Sequence, residues 1–197
     1  MAARDLWYAA YGSNLDRRRF EAYLCGGRPA GAVRTYVGAR DPSPPVDDRP
    51  LLLHGRIFFA WESPTWGGGI AFYDPDLVGP DGGPATVYGR AYRITAEQFS
   101  DLAAQEMRRT PGTDLDLSDV LQHRRHTYGP GRYETLHLVG ELEGAPVLTF
   151  TAPRDHGLSA NPPAPAYLAT MVRGLRECHG LSRADALAYL DAAPGAR

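Results

Sequence analysis

The sequence predicts an α+β fold: a curved, mostly antiparallel sheet or small barrel with helices packed on it. Three observations carry this. Strand-like runs fill most of the first half of the 197-residue chain, helical runs flank them, and hairpin-length connections outnumber βαβ units. The length suits a single domain, with C-terminal helices over about residues 164–192, and no internal repeat is visible. Hydrophobic residues make up 43% of the chain, enough to build a core and too many for general disorder.

Residues 6–11, Leu-Trp-Tyr-Ala-Ala-Tyr, form a short apolar and aromatic run closed by Gly12-Ser13-Asn14, which predicts a buried first strand. Residues 15–24 can follow as a helix, with Phe20, Tyr23 and Leu24 on one side and Arg17, Arg18 and Arg19 mostly on the other. Asn14 or Ser13 is placed to cap this helix, and Cys25-Gly26-Gly27 stops it. Residues 32–37 read as a strand, and the proline- and aspartate-rich stretch 40–50 as a loop. Residues 51–61 and 69–73 are strand-like, and 74–84 is again turn-rich. Residues 85–94 alternate, with Val87, Gly89 and Ala91 on one face and Tyr88, Arg90 and Tyr92 on the other. Thr95 then has N-cap chemistry, and Gln98 completes a capping box for a helix running to about Arg109 and ended by Pro111-Gly112. Residues 114–122 are a short helix or irregular. Residues 133–139 and 146–150 suit a hairpin around Glu143-Gly144. Residues 167–178 read as a helix closed by His179-Gly180, and Ser182 caps a last helix through Tyr189.

Composition narrows the function classes. A formal net charge of -2 and a pI near 6.3 argue against a nucleic acid or an anionic membrane as the main partner. Cys25 and Cys178 stand far apart with no CxxC pair, so a reducing compartment is the simpler expectation. Residues 1–5 contain no apolar signal region, and no run approaches the roughly 18 apolar residues of a membrane span. The expectation is a soluble, cytoplasmic protein whose partner is a small molecule.

Two features can carry chemistry. A strand ending in Gly-Ser-Asn and leading into a helix groups several backbone N–H donors, while the glycine permits close approach and positive φ. Such donors, with the helix dipole, favour a carboxylate, a phosphate or a developing oxyanion. Taken alone, the segment Tyr11-Gly12-Ser13-Asn14-Leu15 is equally an ordinary capped turn. The second feature is Glu106, one helical turn beyond Leu102, which draws its carboxylate toward the interior. Partly buried glutamates can accept and return a proton near neutral pH; the alternative is a solvated side chain paired with Arg108 or Arg109.

Other candidates rank lower. His123-Arg124-Arg125-His126 has no metal-ligand spacing and reads as a solvated loop, as does Arg17-Arg18-Arg19. Asp114, Asp116 and Asp119 read as helix-start acids, Cys25 as a small apolar residue, and Ser13 lacks the setting of a hydrolase nucleophile. Trp61 and Trp66 flank a glycine-rich loop and either wall a pocket or belong to the core. Neither a metal nor a cofactor is expected.

The Tyr11–Leu15 segment after an N-terminal apolar strand resembles the signature of the γ-glutamylcyclotransferase-like superfamily. The resemblance continues in order along most of the chain. Trp66-Gly67-Gly68-Gly69-Ile70-Ala71-Phe72 is similar to that family's glycine-rich approach to a central strand. Val87-Tyr88-Gly89-Arg90-Ala91-Tyr92-Arg93-Ile94 is similar to its V-x-G-x-x-Y-x-I strand, and Leu102-Ala103-Ala104-Gln105-Glu106 to its L-D-x-x-E helix. Pro165-Ala166-Tyr167 with Met171 and Gly174-Leu175 resembles the P-S-x-x-Y segment, with a different tyrosine spacing.

The resemblance implies a compact barrel-like fold with a cavity at the glycine turn, Glu106 as catalytic general acid/base, and no metal or cofactor. The implied reaction is attack of a γ-glutamyl substrate's own α-amine on its γ-carbonyl, releasing an amine or peptide and 5-oxoproline. The backbone N–H groups of Gly12, Ser13, Asn14 and Leu15 would hold the α-carboxylate and the oxyanion, with Tyr11 and Tyr167 closing the pocket. Ala103 stands where the family has an Asp and Met107 where Gly is frequent; these departures bear on substrate identity and helix geometry. A non-catalytic small-carboxylate-binding domain and a biosynthetic enzyme that removes a γ-glutamyl group are the alternatives. The loops at 40–50, 74–84 and 124–132 would set the leaving amine.

Overall fold

A computed structural model of the chain describes residues 5–28, 35–152 and 157–197. In chain order its elements are β1 (Asp5–Ala10), a 3-10 turn (Ser13–Leu15), α1 (Arg17–Cys25), β2 (Asp47–His54), β3 (Arg56–Ser63), β4 (Gly68–Asp74) and β5 (Thr86–Thr95). There follow α2 (Ala96–Glu106), α3 (Ser118–His123), β6 (Arg125–Thr127), β7 (Thr135–Leu142), β8 (Ala145–Thr151), α4 (Pro165–His179) and α5 (Arg183–Asp191).

Six strands form one sheet in the order β2-β5-β1-β8-β7-β6. β1 lies inside it, antiparallel to β5 (Tyr8 opposite Tyr92) and parallel to β8 (Tyr8 opposite Leu148). That position explains its sequence: with strands on both sides and both faces covered, it reads as a continuous apolar run rather than an alternation. The fold is α+β and mostly antiparallel, as expected, but the sheet does not close into a barrel. β3 and β4 make a separate two-stranded sheet. The expected single strand 51–61 is split at Gly55, whose φ of 106° turns the chain between β2 and β3.

Aromatic side chains tie the large sheet to its helices. Phe20 of α1 stacks on Tyr92 of β5 at 4.0 Å between centroids, and Tyr8 of β1 stacks on Phe150 of β8 at 5.1 Å. Phe99 of α2 meets both Tyr8 and Phe150. Such pairs add about 0.5–1.5 kcal/mol each beyond the burial of their area. This cluster fixes β1 and α2 together, and therefore the two features singled out above.

Several expectations need correction. α1 begins at Arg17 and its cap is Asp16, not Asn14 or Ser13: the 3-10 turn intervenes, and the Asp16 carboxylate accepts from the Arg18 and Arg19 amides at 3.0 and 3.3 Å. β2 starts inside the expected 40–50 loop, because residues 47–50 pair with 90–93 of β5, and Pro50 is tolerated on this edge strand. α2 has the expected Thr95/Gln98 capping box but ends at Glu106; Met107 keeps an ordinary φ of -76° and Arg108 turns left-handed at 59°. The reading of 125–126 as loop gives way to β6, paired with β7. Of the expected strand 32–37, residues 32–34 lie outside the described residues, and Tyr36 makes an isolated bridge to Gly27. The Glu143-Gly144 hairpin holds, with both residues at positive φ.

Candidate functional site

The turn that follows β1 is held by its carbonyls. Gly12 O accepts from the Leu15 amide at 3.0 Å, Ser13 O from the Asp16 amide at 3.2 Å, Asn14 O from the Tyr92 hydroxyl at 2.8 Å and Leu15 O from Arg90 at 3.2 Å. Leu15's amide is therefore spent within the turn, which corrects its expected role as a free donor. Ser13's amide faces the Tyr167 hydroxyl and helps to hold down the rise that burial causes in its pKa. The Gly12 and Asn14 amides donate to no acceptor among the described residues. The turn owes little to a helix dipole, since Asp16 already occupies the first amides of α1 and is itself held by Arg173 at 2.8 Å.

Close packing, not positive φ, explains the glycines here. Gly12 has φ -108°, and a Cβ there would meet the Tyr167 hydroxyl at 3.0 Å. On α4, a Cβ at Gly174 would meet the Leu15 carbonyl carbon at 2.3 Å and the Asp16 nitrogen at 2.5 Å. The missing side chain lets α4 lie directly on the turn, which brings Tyr167, two helical turns earlier, over Gly12.

Tyr8, Tyr11, Gly12, Ser13, Asn14, Ala71, Glu106, Tyr133, Phe150 and Tyr167 line one small cleft. The Tyr11 hydroxyl donates to Phe150 O at 2.8 Å and that of Tyr133 to Ala71 O at 3.0 Å, so both are structural walls. Tyr167 differs. Its oxygen accepts from the Ala71 amide at 3.0 Å, leaving its proton to be donated. Asn14 Nδ2 donates to Tyr8 at 3.2 Å while Asn14 Oδ1 is buried without a partner, an acceptor suited to an ammonium. Burial, with Glu106's charge adding to it, pushes the Tyr8, Tyr11, Tyr23 and Tyr133 hydroxyls well above the usual tyrosine range. Burial likewise pushes Tyr167 up to about 12. These rings stay neutral hydroxyl donors near neutral pH.

Glu106 closes α2. Phe99, Leu102 and Ala103 of that helix face the core, and Gln105 Nε2 donates to Tyr23 O at 2.9 Å, docking the end of α2 on α1. This leaves Glu106 half-buried beside the Tyr23 hydroxyl. Arg109, its expected surface partner, pairs instead with the buried Glu134. No arginine lies within salt-bridge distance of Glu106 among the described residues.

Glu106 also lines a second, adjoining cavity, with Arg19, Tyr23, Tyr36, Trp66 and Arg132; Ser13, Tyr133 and Tyr167 border both spaces. Arg19 overturns the expectation of a solvated arginine run. It is buried, donating to the Tyr23 and Tyr36 hydroxyls, with its guanidinium 4.4 Å from the Tyr36 ring. The signal available in the sequence was its spacing of four from Tyr23, which puts both on one helical stripe.

The structure thus brings Tyr11, Gly12, Ser13, Asn14, Glu106 and Tyr167 to one cleft and leaves Leu15 outside its lining, buried beneath. Sequence reasoning missed Tyr8, Tyr133, Arg19 and Arg132. Trp66 walls the second cavity, whereas Trp61 lies under the Arg132 guanidinium at 4.1 Å. Asp114 reaches Arg40 at 2.6 Å and caps no helix. No group of three or more metal-ligating side chains occurs among the described residues, and no helix among them is long and apolar enough to cross a membrane.

No family profile matches the chain. It is 32% identical over 216 residues to histone deacetylase 5 of Arabidopsis thaliana, a match covering 98% of this chain. The chain spans only 31% of that protein's length. Among solved structures, a human protein described as uncharacterized aligns with a TM-score of 0.53 and 19% identity over 94% of this chain and 88% of its own; that likeness shows a shared fold. A gamma-glutamyl cyclotransferase aligns with a TM-score of 0.49 and 17% identity over the same shares.

Proposed function

We propose that the chain is a γ-glutamylcyclotransferase-like enzyme, converting a γ-glutamyl amide or peptide into 5-oxoproline and a free amine. The observation that carries this is that Glu106 lines the same cleft as the Gly12–Asn14 turn. The ordered sequence blocks described above support it. In this reading the α-nitrogen of the glutamyl group forms a bond to its own γ-carbon while the bond to the leaving nitrogen breaks. Glu106 takes a proton from the attacking amine and gives one to the leaving amine, so the overall step consumes no water and needs no enzyme nucleophile.

The remaining tasks are positioning and charge stabilisation. Holding the substrate in its cyclic pose can contribute roughly 7–11 kcal/mol to an intramolecular step. The free Gly12 and Asn14 amides and the Tyr167 O–H are donors for the α-carboxylate and the oxyanion, each typically worth about 3–4 kcal/mol when aimed at the transition state. Asn14 Oδ1 is the acceptor for the substrate ammonium. The test is a panel of γ-glutamyl amides and peptides followed for 5-oxoproline, with Glu106→Gln as the variant. Expected is turnover of at least one member and a loss of 100-fold or more in the variant, in the range of general acid–base catalysis. No turnover of any member, or full activity in the variant, would sink the proposal.

The Ala103 departure favours a second reading, a domain that binds a small carboxylate in this cleft without reaction. Ala103 is fully buried where the family pattern carries an acid. Calorimetric binding of γ-glutamyl compounds with no product formed would select it.

A further inference from the structure

The second cavity contains two cations that the cyclotransfer step leaves unused. Arg19 is 95% buried, yet among the described residues its Nε and Nη1 have no partner, and its hydrogen bonds run from Nη2 to the Tyr23 and Tyr36 hydroxyls. Arg132 stacks on Trp61, and its buried Nε is likewise unpartnered. Among the described residues no carboxylate lies within salt-bridge distance of either guanidinium. Arg90, equally buried, shows the contrast: it is paired with Asp48 and Glu177. A buried guanidinium without a counter-ion is costly to maintain, and its fixed fork of donors matches a carboxylate. Among the described residues that line this cavity Glu106 is the sole acid, so two positive charges face one negative and the space favours a mono-anion.

Ser13, Glu106, Tyr133 and Tyr167 border both spaces, so the two adjoin at Glu106 and one ligand reacting there can reach into each. We propose that Arg19 and Arg132 form an anion subsite, separate from the Gly12–Asn14 turn, that selects for a negatively charged group on the leaving amine. This rests on the cyclotransfer reading for the identity of the two parts. Trp66 and the Ser63 and Thr65 side chains complete the subsite around the body of that amine.

The test compares γ-glutamyl-alanine with its neutral counterpart γ-glutamyl-alaninamide, which differ only in the charge of the leaving part. In the unmodified protein kcat/KM is expected to favour the acid by tenfold or more. In Arg132→Gln the acid is expected to lose at least tenfold more than the carboxamide, chiefly through KM. Arg132 is the informative variant because Arg19→Gln removes a buried group that also holds Tyr23 and Tyr36. Equal turnover of the two compounds, or an equal loss of both in Arg132→Gln, would overturn the subsite. If neither compound yields 5-oxoproline, the cyclotransfer reading falls for this pair, and calorimetry still decides the subsite. Tighter binding of the acid that is lost in Arg132→Gln upholds it, and equal affinity overturns it.

Discussion

Replacing Tyr167 with phenylalanine removes one oxygen and nothing else. The ring keeps its edge contacts with Trp66 at 5.3 Å and Phe59 at 6.5 Å, so no cavity of consequence opens. What is lost is the acceptor for one backbone amide, that of Ala71. Ala71 is buried, and a buried donor left without an acceptor costs about 1–3 kcal/mol. A loss of about 2 kcal/mol, for a chain of this size, lowers Tm by about 4–8 °C. The same change removes the O–H proposed to face the oxyanion, so kcat is expected to fall about 100- to 1,000-fold with little change in KM. Thermal unfolding and 5-oxoproline release separate the two effects. A Tm unmoved from the parent would refute the claim that this hydroxyl holds the Ala71 amide. A lowered Tm with kcat intact would show that it serves the scaffold alone.

Gly174→Ala should destabilise although alanine is the better helix former by about 1 kcal/mol. Its Cβ would sit 2.3 Å from the backbone of Leu15, and overpacking against atoms that cannot swing away typically costs about 1–3 kcal/mol and here exceeds the propensity gain. Urea unfolding should show a lower midpoint than for Gly140→Ala, where a Cβ meets nothing within 4 Å; equal midpoints would contradict the close approach of α4. The pH dependence of stability follows from His137, whose burial brings its pKa down to about 4 from the ordinary 6.5. The unfolded chain binds this proton first, so stability is full above about pH 6.5 and is lost as pH falls toward 4, by at most about 3 kcal/mol. His179 is lowered in the same direction, first by burial. His137→Gln should therefore flatten, without abolishing, the fall in urea midpoint between pH 7 and pH 5; an unchanged slope would exclude His137.

Local chemistry determined much of this molecule. The Thr95–Gln98 capping box, the Glu143-Gly144 turn, the Gly180 helix end and the Ser182 cap each involve groups a few residues apart, so their energetics are written in short stretches of sequence. The unbroken apolar run of β1 likewise announced a strand covered on both faces. The sequence could not decide what distant residues do to one another. Asp16, rather than Asn14, caps α1 because a 3-10 turn over Ser13–Leu15 intervenes, and Arg173, 157 residues away, holds the other oxygen of its carboxylate. Leu15's amide is consumed inside a 3-10 turn that Tyr92 and Arg90 hold from β5. Arg19, one of three consecutive arginines that look alike on paper, is turned inward because Tyr36 and the end of α2 meet α1 on that side. The two halves of the proposed site, Gly12–Asn14 and Glu106, lie more than 90 residues apart in sequence. Only the packing of α2 against β1 and of α4 on the turn, permitted by the missing side chain of Gly174, sets them around one cleft.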